Sequence, residues 1–401
     1  MINKLVGVNM KKYFLSLLLI VAIAAGVFCY IIDLKITAVI KSSAEDVVGM
    51  NLEMTGPFNY YGKTVANGAL LGFEEINQEG GVNGVKIVPL IMDNRSDSVR
   101  AAFLANEFKQ EGAVATIGPS ISDGFIQTIP AAMQYKIPTV AATAAADEIT
   151  VDRTGKPYDY VFRINFNTSF QANQMAKFAL ENLDAKRAIA VRKLNNVYSN
   201  GLTREFIESF GDGGGDIVDL INYSSNETDF TSYLNRIKDE DFDIIYMPGY
   251  DSEAANFIKQ ARELGITQPI LGGDAYDTPT LFEIAGTSAL NNVYYTTDFL
   301  RTSTDPKVQK FIASYKQKYG EEPFVDSARG YDSAYFIANA IKNAGSSNTE
   351  AIKNAMASME DFQGVTGTFS MGKDHNPIKP IYIIGLEKGL PTQSVLIEPA
   401  K

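Results

Sequence analysis

The sequence predicts an α/β protein made of two doubly wound lobes, each built on a parallel sheet. Short apolar runs that are typical of buried strands alternate along the chain with segments of helical periodicity. This alternation indicates parallel sheets with helices on both faces. The alternating series occurs twice, before and after about residue 165. At 401 residues the chain is long enough for two domains of ordinary size, each with its own core.

The first strand–helix–strand unit organises the rest of the chain. An apolar run at residues 47–54 predicts a buried strand, and an aromatic loop is predicted at residues 58–62. Apolar residues then recur at helical spacing over residues 65–76, before a second strand at residues 85–91. Because ligands of open α/β sheets bind at the carboxyl ends of the strands, the aromatic loop lies where a ligand is expected.

The remaining elements follow in the same rhythm. Strands are predicted at residues 113–117, 139–141, 160–164, 187–192, 216–221, 243–247, 269–272, 293–297, 365–370 and 381–386. Helices are predicted at residues 170–183, 202–210, 230–238, 253–264, 306–319 and 331–344. The predicted division is an N-terminal segment with a spacer (1–45), lobe 1 (46–164 plus 298–378) and lobe 2 (165–297 plus 379–401).

The N-terminal segment is predicted to be an export signal. Residues 13–32 are uncharged and numerous enough to cross a bilayer, with three lysines before them and Asp33 after them. This charge pattern predicts that the N-terminus stays inside and the rest lies outside. An uncleaved signal anchor, a cleaved secretory signal and a lipoprotein signal ending at Cys29 all remain open, although Phe28 replaces the small residue that lipoprotein signals have before the cysteine. The remaining alternative is a buried helix of the globular part. We expect an extracytoplasmic protein, attached to the membrane if the segment is retained.

The composition excludes several classes of function. A formal net charge of -11 and the lack of a basic stripe argue against nucleic acid as a partner. Cys29 is the only cysteine, so neither a disulfide framework nor a thiolate metal site is expected. His375 is the only histidine, which argues against a Ser-His-Asp hydrolase and a histidine-ligated metal enzyme. We therefore expect no cofactor, no metal and no catalytic residue.

Two polar residues at predicted strand ends could bind the ends of a small ligand. Ser122 lies near the start of a helix and could offer its hydroxyl and nearby N–H groups to a carboxylate. It could instead cap that helix. Asp274 follows a strand and could accept from an ammonium group, or it could cap a helix that begins near Pro279.

Four tyrosines occupy predicted strand-end loops: Tyr61, Tyr198, Tyr250 and Tyr276. Aromatic rings in such loops suit the apolar side chain of a ligand or a cation. Each ring taken alone could equally be ordinary packing.

Longer motifs identify a family. They include TGPFNYYGKTVANGALLGFEEINQEGGVNG, IGPSISDG, MPGYDSEAANFIKQARELGITQPILGGDAYD, KYGEEPFVDSARGYDSAYF and FQGVTGTFSM. From about residue 45 to residue 390, the chain resembles the type I periplasmic binding proteins, specifically the Leu/Ile/Val-binding branch that serves ABC transporters. The resemblance implies two lobes joined by three crossovers, which close over an amino acid or a similar small ligand and are then recognised by a membrane permease.

The resemblance also implies roles for individual residues. Ser122 would bind the ligand α-carboxylate, with backbone groups near Thr143 beside it, and Asp274 would receive the α-ammonium. Tyr61 would pack on the ligand side chain, and Tyr198 and Tyr250 would close over it from the second lobe. Tyr331 falls near the cleft in such proteins.

One departure from the family pattern bears on the ligand. Family members have a hydroxyl where this chain has Ala145, and Thr143 would replace it only if the loop shifts. The main expectation is a receptor for a branched-chain or other amino acid. A receptor or sensor for an amide, a urea or a small aromatic or carboxylate solute is the alternative. An exported hydrolase is a further alternative, but the chain has neither a G-x-S-x-G motif nor a histidine to partner it. A structural adhesin is the last alternative, and it predicts no closure of the lobes on a small molecule.

Overall fold

A computed structural model describes residues 45–224 and 227–398 of the chain. The predicted export segment, residues 13–32 with Cys29, lies outside the described residues. Among the helices within the described ranges, none combines the length and apolarity needed to cross a membrane.

Lobe 1 is built on a parallel sheet of five strands in the order β2-β1-β3-β4-β5. The strands are β1 (Glu45–Leu52), β2 (Lys86–Asp93), β3 (Ala115–Ile117), β4 (Thr139–Ala141) and β5 (Val161–Arg163). The helices that connect them are α1 (Asn59–Gln78), α2 (Ser98–Gln110), α3 (Ser122–Ile126) and α4 (Ile129–Tyr135). The sheet strands are largely apolar and buried, as expected when helices cover a parallel sheet.

The chain crosses after β5 into lobe 2 and repeats the alternation. Its strands are β6 (Arg187–Lys193), β7 (Asp216–Tyr223), β8 (Ile244–Tyr246), β9 (Ile270–Leu271) and β10 (Val293–Thr297). Its helices are α5 (Thr168–Asn182), α6 (Val197–Asp212), α7 (Thr231–Ile237), α8 (Asp251–Glu263) and α9 (Pro279–Ala285).

After β10 the chain returns to lobe 1 and then crosses once more. The later elements are α10 (Pro306–Tyr319), α11 (Val325–Ala344), α12 (Thr349–Ala357), β11 (Phe362–Gly364), β12 (Gly367–Met371), β13 (Pro377–Ile378), β14 (Ile381–Glu387) and β15 (Leu390–Ile397). Strands β11 to β13 form a small antiparallel sheet, whereas β14 and β15 add antiparallel strands to lobe 2, whose sheet order is β15-β14-β10-β9-β8-β6-β7. Three crossovers therefore connect the lobes, and the predicted fold class is confirmed.

The structure departs from the predicted elements at a few places. The aromatic residues 58–62 do not form a loop, because α1 already begins at Asn59. Phe58 occupies the position before the helix and offers no side-chain cap, so the usual polar signal of a helix start is missing. The predicted strand at residues 365–370 corresponds to β12, which begins two residues later, and α2, α12, β11 and β15 were not predicted.

Candidate ligand-binding site

Six of the predicted residues line one small cavity between the lobes. The cavity has a volume of about 20 Å³ and lies near the carboxyl ends of β3, β4, β6, β8 and β9. Its lining contains Tyr61, Ser122, Thr143, Tyr198, Tyr250 and Asp274, together with Ser120, Ile121, Ala275 and Asp326. Strand-end residues of both sheets therefore converge on one point, as expected for a ligand site in this class of fold.

Two serine hydroxyls are available on the lobe 1 side of the cavity. The Ser122 Oγ atom accepts hydrogen bonds from the N–H groups of Ala145 and Ala146, both at 3.1 Å. Since these bonds occupy its lone pairs, the hydroxyl hydrogen remains to be donated. The buried Ser120 Oγ has no hydrogen-bond partner among the described residues. Ser122 does not cap α3, because Ile121 holds the cap position and makes no side-chain bond there.

A buried glutamate fixes the loop that carries these serines. The carboxylate of Glu53, at the end of β1, accepts from the N–H groups of Ser120 (3.1 Å) and Ile121 (3.4 Å). Burial raises the pKa of Glu53, although these backbone bonds oppose the rise. Glu53 therefore connects β1 to the loop after β3 and positions the two hydroxyls.

The loop after β4 does not supply the hydroxyl that is missing at Ala145. The Thr143 hydroxyl donates to the Ser120 carbonyl at 2.8 Å, so its hydrogen is not available to a ligand. The Ala145 N–H donates to Ser122, and the Ala145 carbonyl accepts from the Thr168 N–H at 2.8 Å. Ala145 does not belong to the cavity lining. The replacement by Thr143, which would have required a shifted loop, is therefore not seen.

Tyrosine rings from both lobes form the apolar wall of the cavity. Tyr61 from α1 packs edge-on against Tyr250, with ring centroids 5.7 Å apart, and Tyr198 stacks on Tyr250 at 5.3 Å. Phe58 backs the same ring at 5.0 Å. Burial raises the pKa of all three tyrosines well above the ordinary value, so the rings stay neutral.

Asp274 is the acidic group at the lobe 2 side, and it already has partners. Its Oδ1 atom accepts from the Tyr198 hydroxyl at 2.8 Å, and its Oδ2 atom accepts from Arg329 Nη1 at 2.7 Å. The helix-cap alternative fails, because Thr278 caps α9 through a bond from the Leu281 N–H. Asp274 therefore presents a carboxylate to the cavity while it pairs with a cation behind it.

The arginine behind Asp274 belongs to a buried charge cluster that the sequence analysis missed. Arg329, on α11, donates from Nε to Asp298 at 2.9 Å, and Lys379 Nζ lies 2.5 Å from the same carboxylate. Burial opposes the charge of Arg329, but Asp298, Asp274 and Asp326 outweigh it and raise its pKa. Burial likewise opposes ionisation of Asp298, yet Arg329 and Lys379 lower its pKa.

A sequence signal for this cluster exists on α11. Asp326 and Arg329 are three residues apart, so they share one face of a helix that is otherwise mostly apolar and buried. A charged pair on a buried helix face indicates a functional or strongly paired site. The sequence motif that contains both residues supports the family resemblance, but within it only Tyr331 was predicted to lie near the cleft.

Besides Ala145, two predicted residues lie outside the cavity, Tyr276 and Tyr331. The Tyr276 hydroxyl donates to the Met247 carbonyl at 2.6 Å, and its ring fills the space beside Gly272, where a β-carbon would lie 2.2 Å from the ring. The Tyr331 hydroxyl donates to Glu75 at 2.7 Å within the α1–α11 interface. Both rings are explained by packing, so neither is placed to touch a ligand in this cavity.

The lobes touch each other directly around the cavity. The Tyr61 hydroxyl accepts from the Asp251 N–H at 3.2 Å, and Asn196 donates to Asp123 at 2.8 Å, each across the cleft. A cavity of about 20 Å³ has room for about one water molecule. An amino acid can therefore enter only when the lobes or the tyrosines move.

A larger cavity adjoins the first one. It has a volume of about 300 Å³, shares Ile121 with the smaller cavity, and is lined by polar strand-end residues that include Glu53, Asp123, Lys193 and Asn196. Lys193 is paired with Glu253 at 2.6 Å, so this charge is already balanced. The cleft between the lobes thus continues from the small cavity into a larger space with more polar residues in its lining.

The chain is similar in sequence to other proteins. The sequence profile of a family described as periplasmic binding protein matches residues 47–390. The Leu/Ile/Val-binding protein BraC3 of Rhizobium johnstonii is 27% identical over 333 residues, which cover 82% of this chain and 88% of that protein.

Two solved structures share both fold and sequence with the chain. The branched-chain amino acid transporter substrate binding protein LivJ of Streptococcus pneumoniae, in complex with isoleucine, has a TM-score of 0.82 and 32% identity, covering 88% of this chain and all of that one (100%). The leucine binding protein LivK of Thermotoga maritima has a TM-score of 0.81 and 30% identity, covering 89% and 99% of the two chains.

Proposed function

The chain belongs to the periplasmic binding protein family, in the Leu/Ile/Val-binding branch of type I, and we propose that it delivers a branched-chain amino acid to an ABC transporter. Members of this family are substrate-binding receptors that work outside the cytoplasm, not enzymes. We further propose that residues 46–164 plus 298–378 move as lobe 1 against residues 165–297 plus 379–401 as lobe 2.

The observation that carries this proposal is the order of chemical groups around the cavity. The Ser122 hydroxyl, with Ser120 beside it, comes from lobe 1, the Asp274 carboxylate comes from lobe 2, and tyrosine rings from both lobes complete the lining. A zwitterion with an apolar side chain needs donors for its carboxylate, an acceptor for its ammonium, and an apolar wall. We assign these roles to Ser122, Asp274 and the rings of Tyr61, Tyr198 and Tyr250.

Binding would then be coupled to closure of the lobes. The ligand enters an open cleft and contacts Ser122 and Tyr61 first. Contacts to Asp274, Tyr198 and Tyr250 follow when lobe 2 closes, which shifts the equilibrium toward the closed form. The bonds from Asn196 to Asp123 and from Asp251 to Tyr61 hold this form, and the membrane permease would recognise it.

A second ligand class is favoured by one specific observation. Ala145 brings no hydroxyl to the loop after β4, and the Thr143 hydroxyl is committed to Ser120. A ligand that needs fewer donors at this point, such as an amide, a urea or a small aromatic carboxylate, would suit the loop as it stands. The Asp274 carboxylate argues against a purely anionic ligand.

Catalysis receives no support from the residues of the cavity. The single histidine, His375, stacks on Phe162 at 4.3 Å and contacts the Val161 carbonyl through Nδ1 at 2.9 Å. It does not line the cavity with the serines. We therefore propose that the protein binds its ligand without transforming it.

Export would depend on residues 13–32. We propose that this segment directs the chain across the cytoplasmic membrane and that it is then cleaved, retained as an anchor, or replaced by a lipid at Cys29. Mass spectrometry of the protein from the native membrane and soluble fractions distinguishes the three products.

A thermal-shift screen tests the proposed ligand. Saturating ligand at about 100 times its dissociation constant should stabilise the protein by about 2.7 kcal/mol, a shift of several degrees. We expect this shift with leucine, isoleucine or valine. A response to acetamide, urea or benzoate and to no amino acid would replace the proposal with the second ligand class.

A further inference from the structure

Asp326 is a buried carboxylate that faces the cavity without a close partner. It lies in the first turn of α11, and its side chain is 6% exposed. The nearest cationic atom, Arg329 Nη1, is 3.8 Å away, which is beyond hydrogen-bond distance. Within the described residues its side chain accepts no hydrogen bond. A carboxylate this buried ordinarily has hydrogen-bond partners, and because Asp326 lines the cavity, a ligand bound there could supply them.

The charges around Asp326 leave room for one more cation. Three carboxylates, those of Asp274, Asp298 and Asp326, contact two cations, Arg329 and Lys379. When all of them are ionised, the cluster carries one excess negative charge. The neighbouring pair of Asp277 and Arg301 is balanced, with 3.0 Å between its atoms. A single ammonium group in the cavity would therefore neutralise the set.

Asp274 alone does not satisfy an ammonium group. Each of its two oxygens already accepts one bond, from Tyr198 and from Arg329. An ammonium has three N–H donors and needs several acceptors when it is buried. Asp326 has an oxygen near the same Arg329 Nη1 atom that binds Asp274, so the two carboxylates are neighbours at the cavity wall.

We propose that Asp326 is a second carboxylate that binds the ligand ammonium beside Asp274, and that it restricts the site to amino acids and amines. The inference rests on the proposed function, because it assigns one more contact to the same ligand. A ligand that has a carboxylate but no ammonium would face the carboxylates of Asp274 and Asp326. The arginine beside them, Arg329, is already paired.

The protonation of Asp326 makes this role measurable. Burial raises the pKa of Asp326 to about 8, with Arg329 opposing the rise and the nearby acids adding to it. The groups that face it are Arg329 on its own helix, Asp274, Asp277 and Asp298 from lobe 2 and the crossover, and Tyr60 and Tyr61 from α1. Below pH 8 the ligand-free protein holds a proton on Asp326, and an ammonium favours its release. Affinity should therefore rise from pH 6 to pH 8.

Isothermal titration calorimetry of the full-length protein in mild detergent tests the proposal. The probes are leucine, isoleucine, valine and the other L-amino acids, with 3-methylpentanoate as the counterpart of isoleucine that lacks the ammonium. Titrations in two buffers of different ionisation enthalpy count the protons released. We expect the wild type to release close to one proton at pH 7 on binding an amino acid.

Variants distinguish the effect of the Asp326 carboxylate from that of other lobe 1 carboxylates. Asp326→Asn should bind the amino acid at least tenfold more weakly at pH 8, about the loss of one charged partner, with a smaller deficit at pH 6 and no proton release. Asp326→Glu should retain proton release. Glu75→Gln is the matched control, because it removes a lobe 1 carboxylate that contacts Tyr331 and Tyr335 outside the cavity. It should bind like the wild type.

The outcomes distinguish this inference from the proposed function. If Asp326→Asn binds isoleucine like the wild type, the inference is wrong and the proposed function stands. If a different amino acid or an amine binds and Asp326→Asn loses it, the inference stands and the branched-chain assignment fails. Binding of 3-methylpentanoate or benzoate as tightly as any amino acid contradicts both. The comparison with 3-methylpentanoate uses the wild type alone, so it can overturn the inference even if the variants do not fold.

Discussion

Because Asp274 pairs with Arg329, it has a structural role as well as its proposed role in ligand binding. The Arg329 Nη1 atom pairs with Asp274 and its Nε atom with Asp298, and all three groups are buried. Removing one member of a buried ion cluster leaves its partners uncompensated, which costs more than the pair itself contributes. Asp274 is therefore both the proposed acceptor of the ligand ammonium and a counter-ion that keeps Arg329 charged inside the protein.

Replacing Asp274 should affect both roles. Asp274→Asn is expected to weaken amino acid binding by about 2–5 kcal/mol, because a buried ammonium loses its charged partner, and to lower the melting temperature as well. Calorimetric titration and thermal melting measure the two effects. Asp219→Asn, which removes a partly exposed partner of Arg236 in lobe 2, is the control and should change neither. A loss of affinity below tenfold for Asp274→Asn would remove Asp274 from the ammonium site.

The stability of the ligand-free protein should depend on Asp326 and pH. The folded pKa of about 8 lies above the ordinary value of 3.8, so the folded state holds a proton that the unfolded state releases. Asp326 therefore lowers the free energy of unfolding as the pH rises from 3.8 to about 8, by about 1.4 kcal/mol for each pH unit. Above pH 8 its effect no longer changes. Asp326→Asn should melt higher than the wild type at pH 8, with a smaller difference at pH 5. A variant that melts lower at pH 8 would show that Asp326 is ionised and well paired.

At the scale of residues, the local sequence pattern predicts which polar and aromatic residues lie at strand ends, but it does not predict which residues they contact. Ser122, Tyr250 and Asp274 were predictable because each follows an apolar run at a position where ligands bind. The pairing of Asp274 with Arg329 was not predictable from spacing, since 55 residues and a crossover separate them. The lack of a free hydroxyl on Thr143 depends on a loop contact that only the structure shows.

At the scale of elements, two glycines allow α1 and α11 to pack closely. A β-carbon on Gly68 would lie 1.9 Å from the Ser327 carbonyl oxygen, and one on Gly330 would lie 2.2 Å from the Val65 carbonyl oxygen. No side chain can turn away to relieve such contacts, because both neighbours are backbone atoms. This close approach positions the start of α11, with its charged residues, against α1, which carries Tyr61.

Adding a methyl group at this interface should separate the helices. Gly68→Ala or Gly330→Ala is expected to destabilise the fold by about 1–3 kcal/mol or more and to weaken ligand binding. Gly211→Ala is the matched control, because Gly211 is also helical and has no atom within 4 Å of the added carbon. It should be neutral or stabilising by about 0.4–1 kcal/mol. Denaturant unfolding compares the three, and a stable Gly68→Ala protein with normal binding would contradict the close-packing argument.

Element order was predictable because strand and helix periodicities differ, whereas boundaries depended on local signals. The start of α1 was missed since Phe58 provides no polar cap. β15 was missed since its antiparallel pairing with β14 is a tertiary contact that extends the edge of the lobe 2 sheet.

At the scale of the whole molecule, the two lobes meet through aromatic and polar contacts that surround a cavity too small for an amino acid. Binding therefore requires that the lobes or the tyrosine side chains move, and we propose that the lobes open and close again around the ligand. The contacts between Asp123 and Asn196 and between Tyr61 and Asp251 are then part of the closed state that the ligand selects.

Small-angle X-ray scattering should detect this closure. We expect a smaller radius of gyration with saturating isoleucine than without ligand, because the lobes rotate toward each other when the cleft closes. Asp274→Asn at the same isoleucine concentration should not compact, since it lacks the contact that favours closure. Identical scattering of the wild type with and without a bound ligand would mean that the ligand enters through side-chain motion alone.

A crystal structure of the protein with isoleucine tests the central proposal most directly. The expected complex has the ligand carboxylate within hydrogen-bond distance of the Ser122 hydroxyl, the ammonium bound by Asp274 and Asp326, and the side chain against Tyr61 and Tyr250. An isoleucine bound in the reverse orientation, or held only in the larger polar cavity near Lys193, would contradict the assignment of the two poles.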